Sequence, residues 1–489
     1  MSGKGVYKWS AIDRVCNSAM TFTGNIVLAN LLDPSDFGLV AMVAIFTAIA
    51  QNLSGCGMSD GLIHKLHPTD RDYSTVFVCN AGLGLFFGSM LCLLGMPLSR
   101  FFGHEEINGI MIATGICFFF MTMSFTQETK MRKELDMKRM AIVRLSATAS
   151  ATALCIGLAL ADFGYWALVA THTMVSVFTF CYYVLVSRWF PRIAFYMSSF
   201  REMFGYGVHL MLAYVATQIG RNINTAMLGR FSTPASSGLY SQAQKLEEVP
   251  FSITEAVFNW PFFSVLSNEP EHEKRCRLSS QMHSQLWAVN MTIALLLLIV
   301  SFPAFNLLYG AKWDAAVPIF RLLIAYGVCA SIKYFYQTVF KAYGKVRLVR
   351  NLTFIEVVLQ LGMLGIALAL DGSVMIIAFT QVAATLVLLL VHAGYYRKIV
   401  GCSVWAMVVE AVRPMFVPLI SALVMTALYL PIGYLADSVS SSPRVAAFAV
   451  CCLLTVGFAL FFIVGAAIVK PSYYPAMKQF MASKLHIHI

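Results

Sequence analysis

Apolar residues run through this chain in blocks of about twenty, each closed by a short cluster of Gly, Pro, Asp, Asn or basic residues. A helix of that length crosses the roughly 30 Å hydrocarbon core of a bilayer. Such runs fall at fourteen places: 10–32, 37–58, 76–97, 107–127, 141–163, 165–187, 205–230, 236–262, 286–309, 317–340, 351–370, 373–395, 412–435 and 445–468. The pattern predicts an all-α polytopic membrane protein of about fourteen transmembrane helices.

A faint repeat runs beneath the blocks. After the first run the chain reads "DPSDFGLVAM", with Pro34 and Gly38; after the seventh it reads "STPASSGLYS", with Pro234 and Gly238, an offset of 200. Pro97 and Pro303 close the third and ninth runs at an offset of 206, and Gln127 and Gln337 the fourth and tenth at 210. Three matches in order, at slowly growing offsets, favour two homologous six-helix lobes, over 1–198 and 199–400. Residues 401–489 add two helices and a cytoplasmic tail.

Two runs break their own pattern. In and just before "QIGRNINTAMLGR", residues 218–230, the polar side chains Thr217, Gln218, Arg221, Asn224 and Thr225 recur every three or four residues and share one helical face. Asn222 lies about 100° away. In the first run Ser10, Arg14, Asn17, Thr21 and Asn25 step in the same way. A charge near the bilayer centre costs on the order of 2.5–3.5 kcal/mol, so such a face belongs against protein or water. The joint expectation is that the first and seventh helices line a water-filled cleft. The alternative is structural: Arg221 neutralised by Glu247, Glu248 or Glu356, or snorkelling to an interface. Lys245, in "YSQAQKLEEVP", and Lys333, beside Tyr334, are further candidates for the cavity wall. Pro250 and Pro261 interrupt the eighth run.

Composition agrees with the pattern. Of 489 residues 58% are hydrophobic and 12% charged, and the formal net charge is +11. In a membrane protein a basic balance is the positive-inside bias, so no nucleic-acid partner is implied. Loops after odd-numbered runs hold only Arg100, Arg230, Lys312 and Arg444, whereas loops after even-numbered runs hold clusters such as Lys130, Arg132, Lys133, Lys138 and Arg139. Both termini are therefore expected in the cytoplasm. The twelve cysteines, Cys92, Cys117, Cys155 and Cys181 among them, form no C-x-x-C pair and read as small buried side chains.

Other chemistry is missing from the sequence. There is no G-x-x-x-x-G-K-[ST] for nucleotide hydrolysis. "GLGLFFG", with Gly84 and Gly88, reads as close helix packing. His64 with His67 and His486 with His488 lack partner ligands for a metal. No cofactor is expected, and the short outer loops leave no catalytic platform, so the chain is not expected to be an enzyme. Glu247, Glu248, Glu255, Glu356 and Asp13 are candidate carriers for a coupling H+ or Na+, and none is singled out.

The chain resembles the polysaccharide transporter family, the Wzx-type lipid-linked oligosaccharide flippases of the multidrug/oligosaccharidyl-lipid/polysaccharide exporter superfamily. The resemblance is carried by "LANLLDPSDFGLVAM" (28–42), "DGLIHKLHPTDRDYSTVF" (60–77), "KMRKELDMKR" (130–139), "GYWALV" (164–169), "GLYSQAQKLEEVP" (238–250) and "LLYGAKWDAAVPIFRLL" (307–323). It implies a flippase that moves undecaprenyl-pyrophosphate-linked oligosaccharide repeat units across the bacterial inner membrane by alternating access, for O-antigen, capsule or exopolysaccharide synthesis. The implied partners are that lipid-linked substrate, membrane lipid and a polysaccharide polymerase. Where the family carries LAR at the end of the first helix, this chain has Leu28-Ala29-Asn30. On this reading Arg221, Arg14 and Lys245 meet the pyrophosphate and the Asn, Gln and Thr residues meet sugar hydroxyls. An ion-coupled multidrug exporter on the same scaffold is the alternative, and it would favour an acidic, aromatic-lined cavity.

Overall fold

The computed structural model describes residues 3–55, 58–65, 67–187, 189, 191–439 and 442–469. The described residues form helices and no strand. In chain order these are α1 (Gly3–Leu31), α2 (Pro34–Gly55), α3 (Met58–His64), α4 (Asp70–Phe102), α5 (Glu106–Lys133), α6 (Met137–Leu160), α7 (Tyr165–Ser187), α8 (Met197–Phe231), α9 (Pro234–Thr254), α10 (Trp260–Asn268), α11 (His272–Leu308), α12 (Ala316–Ala342), α13 (Val346–Leu370), α14 (Val374–Val400), α15 (Val404–Val412), α16 (Phe416–Val439) and α17 (Pro443–Val469). All but α3, α10 and α15 are long, and these fourteen long helices coincide one for one with the fourteen predicted runs.

The chain is an all-α polytopic membrane protein. Its helices turn apolar side chains outward as well as inward: Leu85, Phe86 and Leu93 of α4, Val358 and Leu370 of α13, and Leu423 of α16 are all exposed. In water such surface would be unfavourable; against lipid chains it costs nothing. With no hydrophobic drive between helices in lipid, packing relies on small residues that let backbones approach. The α4–α5 pair shows this. A Cβ on Gly84 would sit 2.0 Å from Thr122 Oγ1, and Gly88 and Gly115 face each other so closely that a Cβ on either would meet the other's carbonyl at 2.6 or 2.5 Å. The stretch "GLGLFFG" is a packing seam, as its spacing predicts.

Two compact units are resolved, Met1–Gly238 and Leu239–Ile489, so that α8 and the first residues of α9 belong to the first unit. Within that unit the repeated Pro-x-x-x-Gly segments meet each other. A Cβ on Gly38 would lie 1.7 Å from the Pro234 carbonyl oxygen, and one on Gly238 would lie 1.8 Å from that of Pro34. The motif therefore marks where two helix starts cross backbone to backbone, a place only glycine can occupy.

In the second unit α11 runs against α12, α16 and α17. Val300 of α11 is buried with Met425 of α16 and with Val450, Leu454 and Phe458 of α17, which seats the two C-terminal helices on that face. The eighth predicted run is broken. Pro261 has no N–H for a helical bond, and the turn before it, Glu255–Asn259, widens to a π-helix between α9 and α10.

Candidate functional site

Eleven stretches of helix are apolar enough among the described residues to cross a membrane, and α1, α8 and α9 are not among them. Those three carry Arg14, Arg221 and Lys245. Lys333, the remaining cation expected on the cavity wall, sits on α12, which is among the eleven.

On α1 the stripe is divided by its packing against α6. Asp13, Asn17 and Gly24 face α6: Arg144 lies 3.2 Å from the Asp13 carboxylate, Thr148 donates to Asn17 Oδ1 at 2.7 Å, and a Cβ on Gly24 would be 2.8 Å from the Thr152 methyl. The remaining exposed surface of α1 has two arcs. Arg14, Ser18, Thr21 and half-buried Asn25 lie on one, and Val15, Cys16, Ala19 and Thr23 on the other.

On α8 the stripe changes character along its length. Arg221 is exposed, Gln218 is half-buried and accepts from Asn222 Nδ2 through its backbone carbonyl at 3.0 Å, and Asn224 and Thr225 are buried. The Thr225 carbonyl accepts from Ser237 Oγ at 2.9 Å, which ties this end of α8 to the start of α9. Gly229 packs against the Met42 thioether of α2. The side chain of Thr217 lies outside the described residues.

Lys245 is exposed on α9, one turn from the fully buried Gln242. Lys333 is buried and forms an ion pair with Glu356 of α13. Glu356 is thereby the partner of Lys333, and on the same helix Arg321 donates to Ser301 of α11 at 2.8 Å. The basic cluster after the fourth run also works structurally. Lys133 donates to the carbonyls of Ile63 and Lys65 at the end of α3, at 2.7 and 2.6 Å, and Lys130 lies 3.7 Å from the Trp189 ring centroid. The cysteine expectation needs correction: Cys155 is buried, but Cys92 and Cys117 are half-buried and Cys181 is exposed on a helix face, where a thiol is as acceptable to lipid as an alanine.

A polar cluster escaped the sequence reading. His283 of α11, fully buried, contacts Trp287, Tyr336 of α12 and Glu410 of α15, and Ser280 donates to Glu410. Its members are spread over 130 residues, and only the lone acid within an apolar stretch, Glu410, could have signalled it.

Helices of this number and composition define a multi-pass membrane protein. The chain belongs to the family described as "Polysaccharide biosynthesis protein", whose model matches residues 27–318. It is 21% identical over 446 residues to an "Uncharacterized membrane protein in cps region" of Klebsiella pneumoniae, covering 88% of this chain and 89% of that one. It is 21% identical to "Lipopolysaccharide biosynthesis protein WzxC" of Escherichia coli (strain K12) over 66% of this chain and 67% of the relative. Its fold is similar to the solved "Lipid II flippase MurJ, inward closed conformation", with a TM-score of 0.73 at 10% identity, covering 96% of this chain and 99% of that one.

Proposed function

We propose that this protein is a flippase that carries polyprenyl-pyrophosphate-linked oligosaccharide repeat units from the inner to the outer leaflet of a bacterial cytoplasmic membrane, with both termini in the cytoplasm. The observation that supports it best is the pair of arginines, Arg14 and Arg221, exposed on the polar arcs of two corresponding helices in a polysaccharide-biosynthesis family member. A pyrophosphate is a compact polyanion, and guanidinium groups bind its oxygens in paired hydrogen bonds. In such a site the headgroup crosses in a wet, cationic path while the polyprenyl tail stays in lipid, and Thr21, Asn25 and Gln218 are placed to meet sugar hydroxyls. Alternation between inward-open and outward-open states moves the headgroup without chemistry, so the protein acts as a transporter feeding a polymerase.

Cells depleted of the protein should accumulate a complete repeat unit on polyprenyl pyrophosphate and lose surface polysaccharide, as read by lipid extraction and mass spectrometry. Unchanged lipid intermediates with new drug sensitivity would instead identify an exporter of amphipathic molecules. Arg221→Ala should abolish complementation at unchanged membrane abundance; loss of the protein itself would make Arg221 structural. A single cysteine at position 221, which is exposed, should react with a membrane-impermeant maleimide, and one at the buried position 225 should not.

A further inference from the structure

His283 has an environment that fixes its protonation geometry. Trp287 Nε1 lies 2.9 Å from His283 Nε2. An indole nitrogen can only donate, so Nε2 must present its lone pair and the ring proton sits on Nδ1. That nitrogen faces Glu410 Oε2 at 3.5 Å, and neither atom has a hydrogen-bond partner elsewhere among the described residues. Tyr336 Oη also lies 2.9 Å from Nε2, so two hydroxyl or indole protons compete for one lone pair. The imidazole is otherwise enclosed by aromatic rings, with centroids of Phe335, Tyr336 and Tyr396 within 5.6–6.2 Å.

From this arrangement we propose that His283 and Glu410 form a proton-binding site whose occupancy switches the partner of His283 Nε2 and tightens the hold of α11 on α15. Taking up a proton from water converts Nε2 from acceptor to donor. It then donates to Tyr336 Oη, which turns its own hydrogen away, and it can no longer accept from Trp287, whose N–H is released. On the other side Nδ1–H, now part of an imidazolium, meets the Glu410 carboxylate as a charge-assisted pair. Glu410 is already held by Ser280. Because α15 leads through the turn Arg413–Met415 into α16, protonation acts on the anchorage of the C-terminal pair α16–α17. The switch does not depend on what the protein transports.

The titratable groups facing the site are Glu410 from α15, Tyr336 from α12, Tyr396 from α14, Cys276 from α11 and Cys402 between α14 and α15, with Tyr343 beside Cys276. Thiols and phenols keep their protons in mildly acidic solution, so the proton taken up is assigned to the imidazole. His392, one turn from Tyr396, is a separate histidine: its Nδ1 bonds the Leu388 carbonyl at 2.8 Å and its other nitrogen meets Gln337 at 3.4 Å.

The test is a fluorescence titration of the full-length protein in detergent from pH 8 to 5, read as the difference between the wild type and Trp287→Phe. An imidazolium quenches a neighbouring indole, so a one-proton fall in this difference signal is expected. It should vanish in His283→Gln, which keeps an acceptor for Trp287 but cannot titrate, and persist in His392→Gln. Glu410→Gln removes the counter-charge, so the transition should need at least threefold more acid. A transition that survives in His283→Gln, or its absence in a wild type that stays helical by circular dichroism throughout, would overturn the proposal. If His283→Gln does not accumulate, Glu410→Gln and Tyr336→Phe decide, and an unmoved midpoint in both overturns it as well.

Discussion

The two units use the same packing device at one place and different charges everywhere else. In the first, Asn80 of α4 donates to Thr126 of α5 at 3.1 Å; in the second, Asn290 of α11, 210 positions later, donates to Ser331 of α12 at 3.1 Å. Both asparagines are buried and both leave Oδ1 without a partner among the described residues. The ion pairs do not correspond. In the first unit Asp13 and Arg144 join α1 to α6, with the arginine side chain 38% exposed. In the second, Lys333 and Glu356 join α12 to α13 at 9% and 18% exposure, and His283 with Glu410 joins α11 to a helix that has no counterpart in the repeat. The two units thus share a buried asparagine bonded to a hydroxyl on the next helix, while their ion pairs differ in place and exposure.

The largest effect is expected where the two copies of the repeat motif touch. Gly38→Ala and Gly238→Ala each drive a methyl into a backbone carbonyl, which cannot rotate away as a side chain can. The cost should exceed the ~1–3 kcal/mol of ordinary overpacking, and neither variant should reach wild-type abundance in the membrane. Gly84→Ala should be milder, since its neighbour is the Thr122 hydroxyl, and Gly84→Ala with Thr122→Ala should recover much of the loss. Gly82, with open space around it, should accept alanine without change. If Gly38→Ala were as stable as Gly82→Ala, the crossing of α2 with the start of α9 would not be the contact that makes the motif recur.

The ion pairs come next. Lys333→Ala leaves Glu356 with its charge in a largely closed site, a loss of about 3–5 kcal/mol for a buried pair broken from one side. Replacing both, Lys333→Met with Glu356→Leu, should restore thermal stability in detergent, as apolar replacement of a buried pair commonly does. Arg144→Ala should cost less, about 0.2–1 kcal/mol, because that arginine is 38% exposed and a partly exposed pair contributes little. Transport separates structure from function here. A stable double variant at 333 and 356 that still complements would assign Lys333 to packing; one that is folded yet inactive would place it in the transport path.

Helix number and position were legible because the bilayer imposes one length on every apolar run, and no tertiary contact can override that constraint. The close approach of two helix starts was legible through Pro34, Gly38, Pro234 and Gly238, since a backbone crossing leaves so few residue choices. The stripe on α1 was only partly legible. Periodicity places Asn17 with Arg14 and Thr21, but it cannot tell that α6 occupies one edge of that face and takes Asn17 through Thr148. Lys333 was read as a cation near aromatic rings, and its acid lay on the next helix with no sequence signal joining them. Pairings such as His283 with Glu410 are set by which helices neighbour each other, and a single sequence does not carry that information.

A comparably small predicted effect bears most directly on the shared part of the two units. Interhelical hydrogen bonds in lipid contribute about 0.6 kcal/mol on average and up to ~1.7, because in the unfolded state within the membrane the same groups find other partners. Asn80→Ala and Asn290→Ala should therefore each cost about 1 kcal/mol, read as a small fall in the thermal midpoint of the purified protein, and the two losses should match within error because donor, acceptor hydroxyl and distance are the same. Their unpartnered Oδ1 atoms give the sharper comparison. Leucine at either position removes donor and acceptor together and fills the space, so if the orphaned oxygen is only a cost, Asn80→Leu and Asn290→Leu should be more stable than the alanine variants and equally active. Should one leucine variant be stable but inactive while the other complements, the oxygen in that unit meets something that transport requires, and the symmetry between the two asparagines would be one of packing alone.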